Sequence, residues 1–342
     1  MNTDTDTDTL AEERRSLPEL YTAARAEGGK LTVYAGGDFA AQQDGTANAF
    51  RAAFPAIDFE VVVDYSKYHN IRIDRQLRDG DLIPDVTHLQ TTFDFDRWKA
   101  LGVLMRYRPA GFGQVYEGFK DPDGYFVAIG TFAFSFMHGT GGGPATPKNL
   151  IDPEWRGRIA SAFPQDDDAT LFLFKKYVDI YGWKWLDALA QQQLRFGRGT
   201  NSPGDEVGIG RAQVGVGGYN TGASGLTWVV PQGEHPFFAW GQRAAIFRDA
   251  KHPEAAKLYL NWLLSEGNQR NAFKGWSVRK DLVPEGGSIW TIPNAHVDEF
   301  IGFMADRALV EWWRQTMVLH LGEARGEPSP GWLGLRPTQQ VR

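Results

Sequence analysis

Three consecutive carboxylates, Asp166-Asp167-Asp168, follow Phe163-Pro164 just ahead of a helix predicted over residues 169–181. Backbone N–H groups at a helix start attract anions, and a run of acids there repels phosphate or bicarbonate. As an ordinary solvated turn, the same acids complement the positive end of the helix dipole. Where they face a ligand, that ligand is a cation. The other residues able to do chemistry sit after short apolar strands. Asp38 follows residues 31–35; its carboxylate is a hard oxygen donor suited to a metal ion, or a cap for the next turn. Tyr65, Ser66, Tyr68 and His69 follow residues 59–63, and Gln90 and Thr91 follow residues 85–89. Asn201 and Ser202 lie in a polar turn, and Tyr219-Asn220 ends a glycine-rich strand. A phenol such as that of Tyr219 has an unperturbed pKa of about 10 and ionises only beside a strong Lewis acid. Arg198 can answer an acidic ligand or the acid cluster.

These groups need elements to position them. Residues 17–27 read as a helix stopped by Gly28-Gly29; strands at 31–35, 59–63 and 85–89 then alternate with helices at 46–54 and 68–78. Strand, helix, strand with short connections means parallel strands crossed by helices. In such sheets ligands sit beyond the carboxyl ends of the strands, which places Asp38, Tyr65, His69, Gln90 and Thr91 at one edge. The long apolar run FVAIGTFAFSFM (126–137) predicts a strand crossing between two lobes, and a second crossing is expected over residues 226–238. Lobe 1 is expected from 30–128 with 239–305, and lobe 2 from 129–238 with 306–325. Residues 1–29 form a tail and helix, and 326–342 a polar, proline-rich tail.

Composition narrows the classes. The 342 residues suffice for two lobes with separate cores. A net charge of −6 with Lys and Arg scattered among acids argues against a nucleic-acid surface. No run of about 18 apolar residues exists, so no membrane span is expected. Cysteine is absent, which excludes disulfides and thiolate chemistry. GTGGG at 139–143 lacks the lysine and hydroxyl of a phosphate loop, and neither G-x-S-x-G nor H-E-x-x-H occurs. The opening MNTDTDTDTLAEERRSL lacks the basic patch and apolar core of a secretory leader.

Three strings then belong together: LTVYAG near the start, LIDPEWRGRI in the middle, and KHPEAAKLYLNWLLSEGNQ followed by SVRKDL. In this order they resemble the solute-binding proteins of ABC importers, and within them the ferric-ion-binding branch. The resemblance covers roughly residues 30–282. It implies a type II periplasmic-binding-protein fold: two α/β lobes, each a mostly parallel sheet flanked by helices, with a ligand cleft between them. It implies a receptor without catalysis, a monomer that closes on its ligand and docks on a membrane permease. Its place would be periplasmic or extracytoplasmic, a cytosolic one staying open with a leaderless start. No cofactor is implied; Fe³⁺ enters as ligand.

The metal-binding members carry a histidine where this chain has Asp38, an acid in the loop that here holds His69, and a tyrosine pair where this chain has Tyr219 and Asn220. Asp38, His69 and Tyr219 are thus the expected metal set. Tyr65, Gln90, Thr91, Asp168, Asn201, Ser202 and Asn220 are further expected ligand contacts. With half the phenolate pair missing, a small polar organic solute is the alternative ligand. An enzyme using Asp38 with His69, or an intracellular sensor, is the alternative class.

Overall fold

The computed structural model describes residues 10–218 and 225–326; Tyr219 and Asn220 lie outside them. The chain runs α1 (Leu17–Glu27), β1 (Lys30–Gly36), α2 (Asp44–Ala53), β2 (Asp58–Asp64), α3 (Ser66–Asp79), β3 (Val86–Leu89) and α4 (Phe93–Ala100). It continues through β4 (Val127–His138), β5 (Ile159–Ala162), α5 (Asp168–Tyr181), α6 (Trp183–Ala190), β6 (Arg195–Gly197), α7 (Ser202–Gly208), β7 (Val214–Gly218) and β8 (Thr227–Trp228). It ends with β9 (Phe238–Ile246), α8 (Pro253–Leu264), α9 (Glu266–Arg270), α10 (Glu299–Ala305) and α11 (Arg307–Leu321).

The strands follow the order β2-β1-β3-β9-β4-β7-β5-β6, with β8 beside β4. β1 pairs in parallel with β2 and β3, and β5 pairs in parallel with β6 and β7. The two parallel groups are joined by antiparallel β4 and β9, paired from Val127↔Ala244 to Phe134↔Phe238. β4 changes register between Ser135 and Phe136, where it passes from β9 to β7. An irregularity of this kind bends a strand, and here it turns β4 from one lobe into the other.

Each lobe has its own core. In the first, Phe50 of α2 is fully buried and meets Tyr259 and Trp262 of α8 edge-on, both at 5.2 Å. α8 starts as the sequence predicts, with Pro253 at its first position, where no N–H is lost. Its exposed N–H groups are satisfied from outside: Glu254 and Ala255 donate to the Glu27 carboxylate at the end of α1. The second core gathers Phe172, Phe174, Tyr177, Trp185, Val214 and Val216. Phe300, Phe303 and Met304 of α10 also pack there, ahead of the expected hand-over at 306.

Two elements differ from expectation for physical reasons. The second crossing is β9, whereas 227–228 makes only the short β8 against Met137 and His138. All of β9 is buried, so it lacks the alternation that marks a strand with one wet face. α3 begins at Ser66, ahead of the predicted residue 68, so the residues from Ser66 to His69, expected as part of a strand-end loop, form its first turn. Among the described residues, no helix is long and apolar enough to cross a membrane.

Candidate functional site

The carboxyl ends of β1, β2 and β3 bring Asp38, Tyr65 and Gln90 to one wall of a cleft between the lobes. Opposite stand the acids that open α5 and the loop at Gly199-Thr200, with Phe132, Phe134 and Gln242 of the crossing strands as floor. The cavity they enclose is about 50 Å³.

The lobes touch directly across this cleft. Lys67 donates to the Asp166 carboxylate at 2.7 Å, and its ammonium lies 5.2 Å from the Tyr65 ring centre. Gln90 donates its amide to Asp167 at 3.1 Å. The Thr200 hydroxyl donates to Asp38. Gly199 makes that approach possible: its φ of +81° favours glycine, and a Cβ there would lie 3.2 Å from the Asp38 Cβ. The molecule is therefore in a closed form.

Local chemistry fixes each group. The Gln90 N–H donates to Ser66 Oγ at 2.9 Å, tying the end of β3 to the start of α3. Asp167 is the N-cap of α5 and accepts from the Thr170 N–H at 2.8 Å. Thr170 in turn donates its hydroxyl to the Gly217 carbonyl at 2.8 Å. A Cβ on Gly217, whose φ is +71°, would lie 2.5 Å from the Thr170 methyl, so only glycine suits that contact.

The charges are unevenly matched. Asp166 is answered twice, by Lys67 and by Arg198 at 3.3 Å. Asp168 is paired with Arg314 of α11. Among the described residues, Asp38 and Asp167 are bonded by neutral donors only. Burial raises the Asp38 carboxyl above its usual range. Burial, then the Asp38 charge, pushes Asp167 up to about 7. Removal from water, reinforced by Asp38 and Asp166, likewise raises the Tyr65 phenol and keeps it neutral.

The structure brings Asp38, Tyr65, Gln90, Thr91 and Asp168 together around the cavity. His69 lies elsewhere: it is fully buried in the first lobe, with Nε2 at 3.0 Å from the Val62 carbonyl and Nδ1 at 3.0 Å from Arg72. Burial first, then the Arg72 charge, lowers it to about 3, so it is neutral. Asn201 donates to Asp205 at 2.6 Å, and Ser202 opens α7; neither lines the cavity. Tyr219 and Asn220 lie outside the described residues. Among those residues, no three His, Cys, Asp or Glu side chains are grouped to hold a metal ion. Lys67, Thr200, Gln242, Phe132 and Phe134 are cleft residues that sequence reasoning missed. The aromatic flanks of Lys67, Tyr65 and Tyr68, were its only local signal.

No family model matches the chain. An uncharacterised protein of Haemophilus influenzae is 25% identical over 206 residues, which span 54% of this chain and 59% of that protein's length. Among solved structures, iron-bound HitA from Pseudomonas aeruginosa matches with a TM-score of 0.64 at 17% identity, covering 84% of this chain and 99% of that one. AfuA from Actinobacillus pleuropneumoniae, with fructose-6-phosphate bound, gives 0.67 at 18% identity over 87% and 100% of the two chains. The substrate-binding protein of an ABC transporter from Agrobacterium tumefaciens gives 0.68 at 14% identity over 85% and 94%. Together with the strand order and the interlobe cleft, these likenesses give the chain the type II periplasmic-binding-protein fold.

Proposed function

We propose that this chain is the solute-binding receptor of an ABC import system, capturing a small cationic ligand by closure of its two lobes. One observation carries the reading: Asp38 and Asp167 face a shared cavity from opposite lobes, and among the described residues neither forms an ion pair. A ligand touching both lobes favours the closed form by its differential affinity for it. Closure on a hinge then presents a single shape to a membrane permease. His69 points into the core, away from the cleft, so it does not form the pair with Asp38 that an enzyme reading would use. The folds compared above serve outside the cytoplasm, and an extracytoplasmic place goes with this reading.

A metal cation, Fe³⁺ first, is the second reading. It is favoured by neighbours described as iron-bound, among them HitA and a Trichodesmium protein in complex with iron and citrate. Native mass spectrometry of protein purified without chelator separates the two: a metal mass and a phenolate-to-metal colour on iron loading support iron. Small-angle scattering tests the receptor itself, since a ligand must shrink the radius of gyration. Lys67→Met removes one latch. A partly buried pair of this kind is worth about 1 kcal/mol, so the closed-to-open ratio of empty protein is expected to fall about fivefold. An unchanged radius in that variant sinks the latch.

A further inference from the structure

Resting on the receptor reading, we infer that the cleft selects a small primary amine carrying one positive charge. Its lining and their ion-pair partners set four carboxylates against three fixed cations, around a buried amide left without a partner. The carboxylates are Asp38, Asp166, Asp167 and Asp168; the cations are Lys67, Arg198 and Arg314. With all four carboxyls ionised, one negative charge remains. Residues Tyr219 to Ser224 add no acid, lysine or arginine to this count.

An unpaired charge in a closed site is expensive, and a ligand of equal and opposite charge removes the cost. A monocation leaves the cleft neutral. A trivalent metal leaves it with two positive charges, a neutral sugar leaves it negative, and an anion makes it worse. Charge therefore speaks against iron and against phosphorylated solutes alike.

The independent sign is Gln242. It is only 7% exposed, it lines the cavity, and among the described residues its carboxamide has no hydrogen-bond partner. Its polar atoms are open to the cavity, where a ligand can bond them. An ammonium offers three N–H donors. Asp38, Asp167 and the Gln242 carbonyl offer three acceptors around one cavity. Phe132 and Phe134 present carbon on the floor, which suits a short alkyl chain and gives a bare inorganic ion nothing to coordinate. The cavity of about 50 Å³ has room for more than one water-sized group. Ethanolamine is a small probe that carries an ammonium on a short alkyl chain.

Titration calorimetry of ligand-stripped protein at pH 8 tests this with ethanolamine, size-matched ethylene glycol and ferric citrate. Ethanolamine is expected to saturate one site, with ethylene glycol at least about 100-fold weaker. Asp167→Asn keeps the helix cap but loses a charge-assisted bond, so ethanolamine should bind about 10–100-fold more weakly. Lys67→Gln makes the cleft more negative but also drops the latch to Asp166, so the two effects oppose and ethanolamine affinity should move by no more than about fivefold. Unfolding midpoints of both variants establish that they are folded. Equal binding of ethylene glycol overturns the amine, as does ethanolamine affinity unmoved in Asp167→Asn. Scattering separates this inference from the receptor reading. A radius that contracts with ferric citrate and not with ethanolamine overturns the amine and keeps the receptor. A radius unmoved by either, in protein that carries no copurified solute, overturns both.

Discussion

Affinity for a cationic solute is expected to fall about tenfold for each pH unit below about 7 and to level off above it. The cause is Asp167, whose carboxyl in the empty closed cleft is pushed up to about 7 by burial and by Asp38. A cation binds the ionised form, so below that value it must first displace a proton. The groups facing Asp167 are Asp38, Asp168, Gln90 and the Thr170 N–H, with Asp166, Lys67, Arg198 and Arg314 around them. Stability of the ligand-free protein moves the opposite way. A carboxyl raised from 3.8 to about 7 on folding holds an extra proton between these values. Its contribution is therefore full at the acid end and lost as pH rises through about 7. Calorimetry from pH 5.5 to 8.5, in two buffers of different ionisation heat, reads both affinity and proton release. A flat profile in the native protein, or an unflattened one in Asp167→Asn, contradicts the assignment.

Trp240→Ala is expected to cost about 3–5 kcal/mol, a large part of an ordinary domain's stability. Trp240 sits on β9 with 1% of its surface exposed. It stacks on Phe238 at 5.1 Å and Phe132 at 5.6 Å, and meets Phe134 edge-on at 5.2 Å and Phe300 at 5.1 Å. Removing it leaves a cavity beneath the cleft floor and loosens Phe132 and Phe134. Trp240→Phe should cost less than half as much, because the indole N–H has no partner to lose. Urea denaturation gives both values; the midpoint should shift with little change in slope. A cost below about 1 kcal/mol for the alanine variant would show that the ring cluster is not what holds the floor.

The strand-and-helix alternation was legible because each parallel strand is a short apolar run bounded by glycine or a polar end. β1, β2 and β3 all appear within a residue or so of expectation. Long-range placements were not legible. Nothing near Asp168 in sequence announces Arg314, and nothing near Asp38 announces Thr200. His69 shows that the direction a side chain takes on a helix was not legible from its position after a strand. In the first turn of α3 Lys67 reaches the opposite lobe and His69 turns inward, so a lysine and not a histidine enters the cleft. Gln242 was hidden because it lies in a strand buried on both faces, where pattern gives no direction.

β4 and β9 cross between the lobes side by side, bonded to each other from Val127↔Ala244 to Phe134↔Phe238. Two independent tethers would let the halves swivel and slide; a laced ribbon resists twist and yields chiefly by flexing. Opening is thereby confined to one dominant coordinate, like a stiff binding on a book. On the receptor reading proposed above, a transporter would meet two postures and few intermediates, so occupancy would be reported almost as a digital signal.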